Sequence, residues 1–233
     1  MLDWTLGGYP SPTFAMLKSF FVDIGHVPTL DELYEKVFPD ESVEVVKAAC
    51  HLFSDAFDKF PFHIGVLYQG PQNVGVGNLI YTKPTGFAST MTCFAYDCLD
   101  KWRAIYPEEI FEDQMKQLTD EWALGLEELK KLPAELIEAN PVLLELVDAA
   151  EATYCQFRSV YLQTRFIRIR DGKVEGDIAA VIDEEESVTV RCANVAAHNP
   201  CIGYESANHY YFNRTMLMEK IVCCEYAKEY FKK

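Results

Sequence analysis

The stretch from Cys201 to Phe212, CIGYESANHYYF, holds the residues of this chain best suited to binding chemistry. In a helix, Glu205, Asn208 and His209 would be spaced i, i+3 and i+4 and would project from one face. A carboxylate, an amide and an imidazole framed by aromatic rings suit a small polar ligand such as a sugar. An aromatic cluster ahead of a helix more often anchors that helix to its core. Both interpretations stay open on the sequence alone.

Asp3 and Trp4 form a second candidate binding pair near the start of the sequence. They belong to a short apolar run followed by Gly7 and Gly8, a pattern typical of a strand that leads through a turn into a helix. Barrel enzymes place functional groups at the carboxyl ends of their strands, although an acid that merely caps a turn would look the same. The next forty or so residues read as helix, so a strand here has no local pairing partner. Residues 1–22 are therefore predicted to be a strand-turn-helix unit, either the last unit of an incomplete β/α barrel or a part completed by a partner chain.

The segment 60–86 differs from the rest of the chain because glycine and proline recur along it. Two short pieces within it, Ile64 to Tyr68 and Leu79 to Thr82, have a β-rich composition. A long apolar loop inside a compact domain is usually functional or packed across a surface. Tyr68 is followed by uncharged glutamine and asparagine side chains, which suit a neutral polyol. Tyr68 is therefore a further candidate binding residue.

Apolar residues recur at helical spacing along most of the remaining chain. Thr29 with Glu32 makes a capping box, and Asn140 is a favourable cap for the longest helix. The pattern predicts helices at 30–37, 42–59, 91–105, after Pro107, after Pro133, 141–168, 174–197 and from Thr215. The stretch at 188–192 alternates like a strand, but the longer window around it favours a helix. The predicted fold is mainly α, with residues 23–233 forming a helical bundle that carries an irregular or short β insertion rich in glycine and proline.

The net charge of the chain is −15, from 21 basic and 36 acidic residues, and it disfavours binding to nucleic acid or to an anionic membrane. No run of 18 uncharged apolar residues occurs, so no transmembrane helix is predicted. The first residues lack the basic and apolar regions of a secretory signal. Eight cysteines scattered through apolar segments are typical of reduced, buried thiols. These features together predict an acidic cytoplasmic protein.

A metal site would have to combine Cys192, His198, Cys201 and His209. Their spacings, with five, two and seven intervening residues, match no zinc template. A cysteine nucleophile needs a histidine beside it in space, and thiols on apolar stripes are more typically inert. Neither a metal nor a cofactor is therefore predicted.

Several word-like motifs together resemble one family of large bacterial proteins of glycoside-hydrolase type. The motifs are LDWTLGGYPSP, FSDAFDKFPFHIGVLY with NLIY, FAYDCLDKWRAIYP, and above all IGYESANHYYF followed by MEKIVCCEY. In that family a TIM-like barrel is followed by a helical region, and the resemblance runs along nearly all of this chain. It therefore implies that the chain corresponds to the C-terminal part of such a protein.

The resemblance also implies roles for the candidate residues. Asp3 and Trp4 would end the last barrel strand, with the indole stacked on a sugar ring and the carboxylate bonded to its hydroxyls. Glu205, Asn208 and His209 would reach the same cleft or brace the loop rich in glycine and proline. The chain departs from the family pattern because all barrel strands but one, and the acid pair that glycoside hydrolysis needs, are absent.

The expected function is accordingly that of the helical portion of a carbohydrate-active protein. It would bind a sugar and act as a glycoside hydrolase only when a barrel segment or a partner chain completes it. The alternative is a helical module for protein interaction or structure with no chemistry of its own. An exposed apolar patch around residues 1–21 would favour this alternative, as would Glu205 and His209 buried and paired with each other.

Overall fold

The computed structural model of the protein describes residues 25–26, 28–69, 75–89, 95–199, 202–203 and 213–232. Within these ranges the chain forms nine α-helices and two 3₁₀ turns, at Asp40–Ser42 and Gly75–Gly77, and no β-strand. The helices are α1 Leu30–Val37, α2 Val43–Phe57, α3 Ile64–Gln69, α4 Leu99–Trp102, α5 Glu108–Leu129, α6 Ala134–Ala139, α7 Pro141–Arg170, α8 Ile178–His198 and α9 Arg214–Phe231. The prediction of a mainly α bundle is confirmed, whereas the strand-turn-helix unit at 1–22 lies outside the described residues.

The bundle is organised around α7, which is 30 residues long. Both α5 and α8 pack against α7, α2 packs on α5, and α9 packs on α8. The Gly75–Gly77 turn contacts α7, α8 and α9. The long helices thus form a series in chain order, and the turn sits where the last three meet.

None of the helices in the described part of the chain is both long enough and apolar enough to cross a membrane.

The predicted helix ends are set by local hydrogen bonds. The backbone N–H of Glu32 donates to Thr29 Oγ1 at 3.2 Å, and the Thr29 N–H donates to the Glu32 carboxylate at 2.6 Å, which completes the capping box. The Asn140 side chain accepts from the first N–H groups of α7. At the other end of α7, Gly172 adopts a φ of +69° and its N–H donates to Ile169 O. This left-handed glycine terminates the helix.

The ambiguous segment 174–197 is helical, and α8 covers most of it. The Asp177 side chain caps the helix by accepting from Ala179 N and Ala180 N. Val188, Cys192 and Val195 then lie in one buried cluster, an arrangement that a step of three or four residues gives and a strand does not. The longer periodicity therefore outweighed the local alternation of β-branched residues.

The insertion contains helical and irregular structure where two β-rich pieces were predicted. The first piece lies in α3, and residues 79–82 form no strand. A strand needs a neighbour to satisfy its backbone, and the described part of the chain offers none. The irregular option for this insertion is therefore correct and the β option is wrong.

The helix predicted at 91–105 is also wrong in extent, because the described residues of that span are helical only in α4. Tyr96 has a φ of +48° and Ala104 a φ of +49°. A helix cannot continue through a left-handed residue. The apolar stripe in this span reflects burial of an irregular segment: Ala95, Leu99 and Trp102 all lie in the core.

Candidate functional site

A network of buried polar side chains lies where α7, α8 and α9 meet. The side chains of Lys220 on α9 and Glu185 on α8 are 0% and 1% exposed, and Lys220 Nζ donates to Glu185 Oε1 at 2.8 Å. Ser159 on α7 donates its hydroxyl to the same carboxylate oxygen at 2.6 Å. One oxygen of Glu185 thus joins three helices that are separate in the sequence.

The network continues into the segment rich in glycine and proline. Gln163 Nε2 donates to Ser159 Oγ at 2.8 Å, and Gln163 Oε1 accepts from Asn78 Nδ2 at 2.7 Å. Lys220 Nζ also donates to the carbonyl oxygen of Asn78. The insertion is therefore held to α7 and α9 by hydrogen bonds that are shielded from solvent.

Position 75 within this segment accepts only glycine without rearrangement. Gly75 has a φ of +53°, and a Cβ built on it would lie 1.5 Å from Gln156 Oε1. The carbonyl of Gly75 accepts from Gln163 Nε2 at 3.3 Å, so its backbone belongs to the network. The close approach of backbone to amide side chains explains why glycine occupies this position.

The Glu185–Lys220 pair suits positioning better than direct chemistry. Both groups are closed off from solvent. Within the described part of the chain Glu185 Oε2 is buried and has no hydrogen-bond partner. A buried ion pair adds little net stability, but losing one partner leaves an uncompensated charge. The network therefore positions the insertion relative to α7, α8 and α9.

A second polar cluster fixes the far end of the insertion. Arg170 Nη1 donates to Asp97 Oδ2 at 2.7 Å and to the Tyr81 carbonyl at 2.8 Å. Asp97 also accepts from the backbone N–H of Thr85 at 3.1 Å and from its hydroxyl. The last residue of α7 thereby holds both Asp97 and the chain at 81–85.

Three aromatic rings adjoin this second cluster. The ring centroid of Tyr96 lies 6.4 Å from that of Tyr81 and 5.4 Å from that of Phe87. The carbonyl of Tyr96 accepts from Asn78 Nδ2 at 3.1 Å, so the left-handed residue is held by the buried network. Burial raises the pKa of the Tyr81 hydroxyl above its ordinary value. The three rings thus lie beside the cluster that Arg170 and Asp97 form.

Five of the six binding residues predicted from the sequence lie outside the described residues: Asp3, Trp4, Glu205, Asn208 and His209. The sixth, Tyr68, lies in α3, but its side chain is not among those described. Their roles stay predictions. The described residues that flank two of these segments do meet, because Val76, Ile202 and Leu217 share one buried cluster.

Of the four residues considered for metal binding, Cys201 and His209 lie outside the described residues, and Cys192 and His198 have other contacts. The described ranges contain no group of three or more His, Cys, Asp or Glu residues arranged to hold a metal ion. His198 Nε2 is hydrogen-bonded to Asp148 Oδ1 at 2.9 Å, and this bond raises the pKa of His198. Cys192 is fully buried in the same cluster as Cys155.

The described cysteines are free thiols, and several of them are deeply buried. Burial raises the pKa of Cys155 well above its ordinary value and the pKa of Cys224 to about 12. A thiol in this state carries almost no reactive thiolate at neutral pH. Cys155 is therefore a core residue and not a nucleophile.

The sequence carries a signal for the buried network that is distinct from the candidate binding motifs. Lys220 lies on the apolar face of its helix, spaced three from Leu217 and four from Cys224, both of which are fully buried. Glu185 lies likewise on the apolar stripe of α8, between Ile182 and Val188. A lysine on one core stripe and a glutamate on another indicate a buried ion pair.

Comparison with known proteins identifies no relative of this chain. No family model, no curated protein sequence and no solved structure matches the chain. The functional assignment therefore rests on the geometry of the bundle and on the residue types that its locked segments carry.

Proposed function

We propose that this chain is the helical portion of a carbohydrate-active, glycoside-hydrolase-like protein, in which it presents sugar-binding residues and does not cleave the glycosidic bond alone. The observation that carries the proposal is that Val76, Ile202 and Leu217 lie in one buried cluster. Val76 follows the segment with Tyr68, and the other two residues flank the segment with Glu205, Asn208 and His209. The described ends of the two candidate segments are therefore anchored to the same part of the core.

The buried network supports the same proposal because its hydrogen bonds hold the insertion, which carries one candidate segment, to α9, which follows the other. Lys220 on α9 donates to the Asn78 carbonyl, and Gln163 on α7 bonds to the Asn78 side chain. Binding residues need supporting residues that hold their backbone in place. A hydrogen-bond network with no exposed group of its own suits this supporting role.

The residue types favour a neutral polyol as the ligand. The candidate side chains combine rings and hydroxyls with amide, carboxylate and imidazole groups, which bond to sugar hydroxyls and pack on the apolar face of a pyranose. The net charge of −15 opposes binding of anionic ligands such as sugar phosphates. Neutral monosaccharides are accordingly the first ligands to test.

A fluorescence titration with neutral monosaccharides tests the role of Trp4. The other two tryptophans have hydrogen-bonded indoles: Trp102 Nε1 donates to Ala95 O at 2.9 Å and Trp122 Nε1 to Ala150 O at 3.0 Å. We expect a saturable change, and Trp4→Phe should remove the part of it that comes from Trp4. A protein that contains both this chain and its barrel and shows no sugar binding would refute the proposal.

Calorimetric titration tests the second group of candidate residues. We expect Glu205→Gln and His209→Ala each to weaken sugar binding by about tenfold or more, the cost of one charge-assisted hydrogen bond. The matched control is His51→Ala, since His51 is exposed on α2. Equal affinities for all variants would remove these residues from the site.

An interaction module is the second candidate, favoured by an exposed apolar stripe on α9. Met218, Val222 and Tyr226 are spaced four residues apart and are 49%, 67% and 61% exposed. Such a stripe is unusual for a helix that faces only water. If the chain acts through this face, Val222→Glu will abolish its association with the barrel-bearing part in sedimentation experiments and leave its melting temperature unchanged.

A further inference from the structure

A surface cleft of about 360 Å³ opens where α5, α7 and α8 come together. Among the described residues, none of the buried network lines this cleft. The volume lies at the small end of the range for ligand sites, which suits one sugar-sized molecule.

One wall of the cleft is an arginine held in a fixed orientation. Arg191 on α8 donates from Nε to Glu151 Oε1 at 2.7 Å and from Nη2 to Glu151 Oε2 at 3.0 Å. Its guanidinium carbon lies 4.4 Å from the centroid of the Tyr154 ring. The guanidinium group is paired with Glu151 along one edge and stacked on the Tyr154 ring with one face. Its remaining N–H groups can therefore donate to another acceptor.

The opposite wall is a second ion pair, on α5. Lys130 Nζ lies 2.5 Å from Glu127 Oε1, and both side chains are mostly exposed. Leu126 and Ala123 on the same helix also line the cleft. The cleft is therefore lined by two apolar side chains, a tyrosine ring and two pairs of opposite charges.

We infer that this cleft binds a small neutral polyol, one pyranose ring in size. A sugar places its C–H surface against Leu126 and the Tyr154 ring, while adjacent hydroxyls accept from Arg191 and donate to the carboxylates. A polyol makes these bonds without separating either ion pair.

The pairing of every charged side chain that the described residues place in the cleft is the reason for choosing a neutral ligand. An anion would compete with Glu151 for Arg191, and it would also lie near Glu127. A cation would compete with Arg191 for Glu151 and would lie near Lys130. Binding of an ionic ligand thus breaks one ion-pair contact within the protein for each contact that it forms. A polyol instead adds hydrogen bonds to both ion pairs.

The cleft site is built from residues of α5, α7 and α8 and shares only the ligand class with the function proposed above. Trp122 precedes Ala123 on α5 and provides a reporter next to the cleft. The experiment uses the whole chain carrying Trp4→Phe, with glucose, galactose and mannose as probes. We expect saturable binding by calorimetry, accompanied by a change in Trp122 fluorescence.

Two lysine variants give a matched comparison. Lys130 and its neighbour Lys131 each pair with the glutamate three residues earlier, and they are 65% and 63% exposed, but only Lys130 lines the cleft. We expect Lys130→Ala to weaken binding several-fold and Lys131→Ala to leave it unchanged. Arg191→Lys should weaken binding by about tenfold, because the planar fork is lost. Circular dichroism melts verify that each variant is folded.

Three results would overturn the inference: no sugar binding in the Trp4→Phe chain, equal affinity in the Lys130 and Lys131 variants, or binding of acetate or methylammonium but of no sugar. Failure of the site proposed above gives a different pattern. In that case Glu205→Gln and Trp4→Phe leave the affinity unchanged, while Lys130→Ala still lowers it.

Discussion

Lys220 Nζ lies 2.8 Å from Glu185 Oε1 in the centre of the bundle, and neither side chain is more than 1% exposed. The pair bridges α8 and α9, and through the Asn78 carbonyl it also holds the 3₁₀ turn of the insertion. Removing either partner leaves a charge with no route to water. Removing one of the two residues should therefore destabilise the bundle more than removing both.

Lys220→Met should lower the free energy of unfolding by about 3–5 kcal/mol, because Glu185 becomes a buried unpaired charge. Urea denaturation followed by circular dichroism measures the loss. The double variant Lys220→Met, Glu185→Leu should recover a large part of it. Lys116→Met is the control, since Lys116 pairs with Asp120 but is 50% exposed, and it should change stability by less than about 1 kcal/mol. Equal losses in the Lys220 and Lys116 variants would contradict the importance of the buried pair.

Gly75→Ala should destabilise the protein by about 2–5 kcal/mol, since a left-handed alanine is strained and its Cβ displaces Gln156. Gly86 offers a matched control: its φ is +75°, but nothing lies within 4 Å of a Cβ built there. Gly86→Ala should therefore cost only the backbone strain, about 1–2 kcal/mol. Thermal and urea unfolding of both variants measure the difference. Equal losses would show that the Gln156 contact has no energetic weight.

Asp97→Asn should loosen the far end of the insertion, because the replacement weakens the bonds from Arg170 and Thr85. Hydrogen exchange of the Thr85 amide, which donates to Asp97, reports this directly. We expect its exchange to speed up by about tenfold or more, consistent with the loss of a charge-assisted bond. Asp100→Asn is the control, because Asp100 forms an exposed pair with Arg103. Unchanged protection at Thr85 would show that other contacts hold the segment.

The His198–Asp148 contact should make stability depend on pH in a defined direction. The hydrogen bond to Asp148 raises the pKa of His198 above its ordinary value of 6.5. A group with a raised pKa stabilises the fold fully below its unfolded pKa and loses this contribution as the pH rises through the folded value. His198→Asn should therefore cost more stability near pH 6 than near pH 9, by under about 1 kcal/mol because the ring is largely exposed.

Urea denaturation at the two pH values measures the effect of His198→Asn. In an Asp148→Asn background the same replacement should show a smaller pH dependence, because the main partner that raises the pKa is gone and only the bond to the Asn194 carbonyl remains. A pH-dependent loss of undiminished size in this background would assign the effect to another group.

The sequence predicted most helices because their ends and stripes are local properties. The Thr29 cap, the Asn140 cap and the Gly172 stop depend on residues within one turn of each other, so they can be found without the fold. The helix predicted at 91–105 failed for a related reason. An irregular buried segment can present apolar residues at helical spacing, and the left-handed backbone of Tyr96 is set by bonds to distant residues such as Asn78.

The sites were harder to predict than the fold because they depend on contacts between distant segments. The lysine and glutamate of the buried network were visible as charges on apolar stripes, but their pairing needs the packing of α8 on α9. The cleft is similar: nothing in the local sequence around Arg191 indicates that Lys130 lies across from it. The roles of Asp3, Trp4, Tyr68, Glu205, Asn208 and His209 stay predictions.

The distance along the chain between Asn78 and Lys220, 142 residues, also sets an order for assembly during synthesis. Because α5, α7, α8 and α9 pack in chain order, the bundle can grow helix by helix as the polypeptide leaves the ribosome. The turn at Gly75–Gly77 is made early, yet its last partner, Lys220, is made late. Because α9 supplies Lys220, the buried network can be completed only when α9 packs against α8.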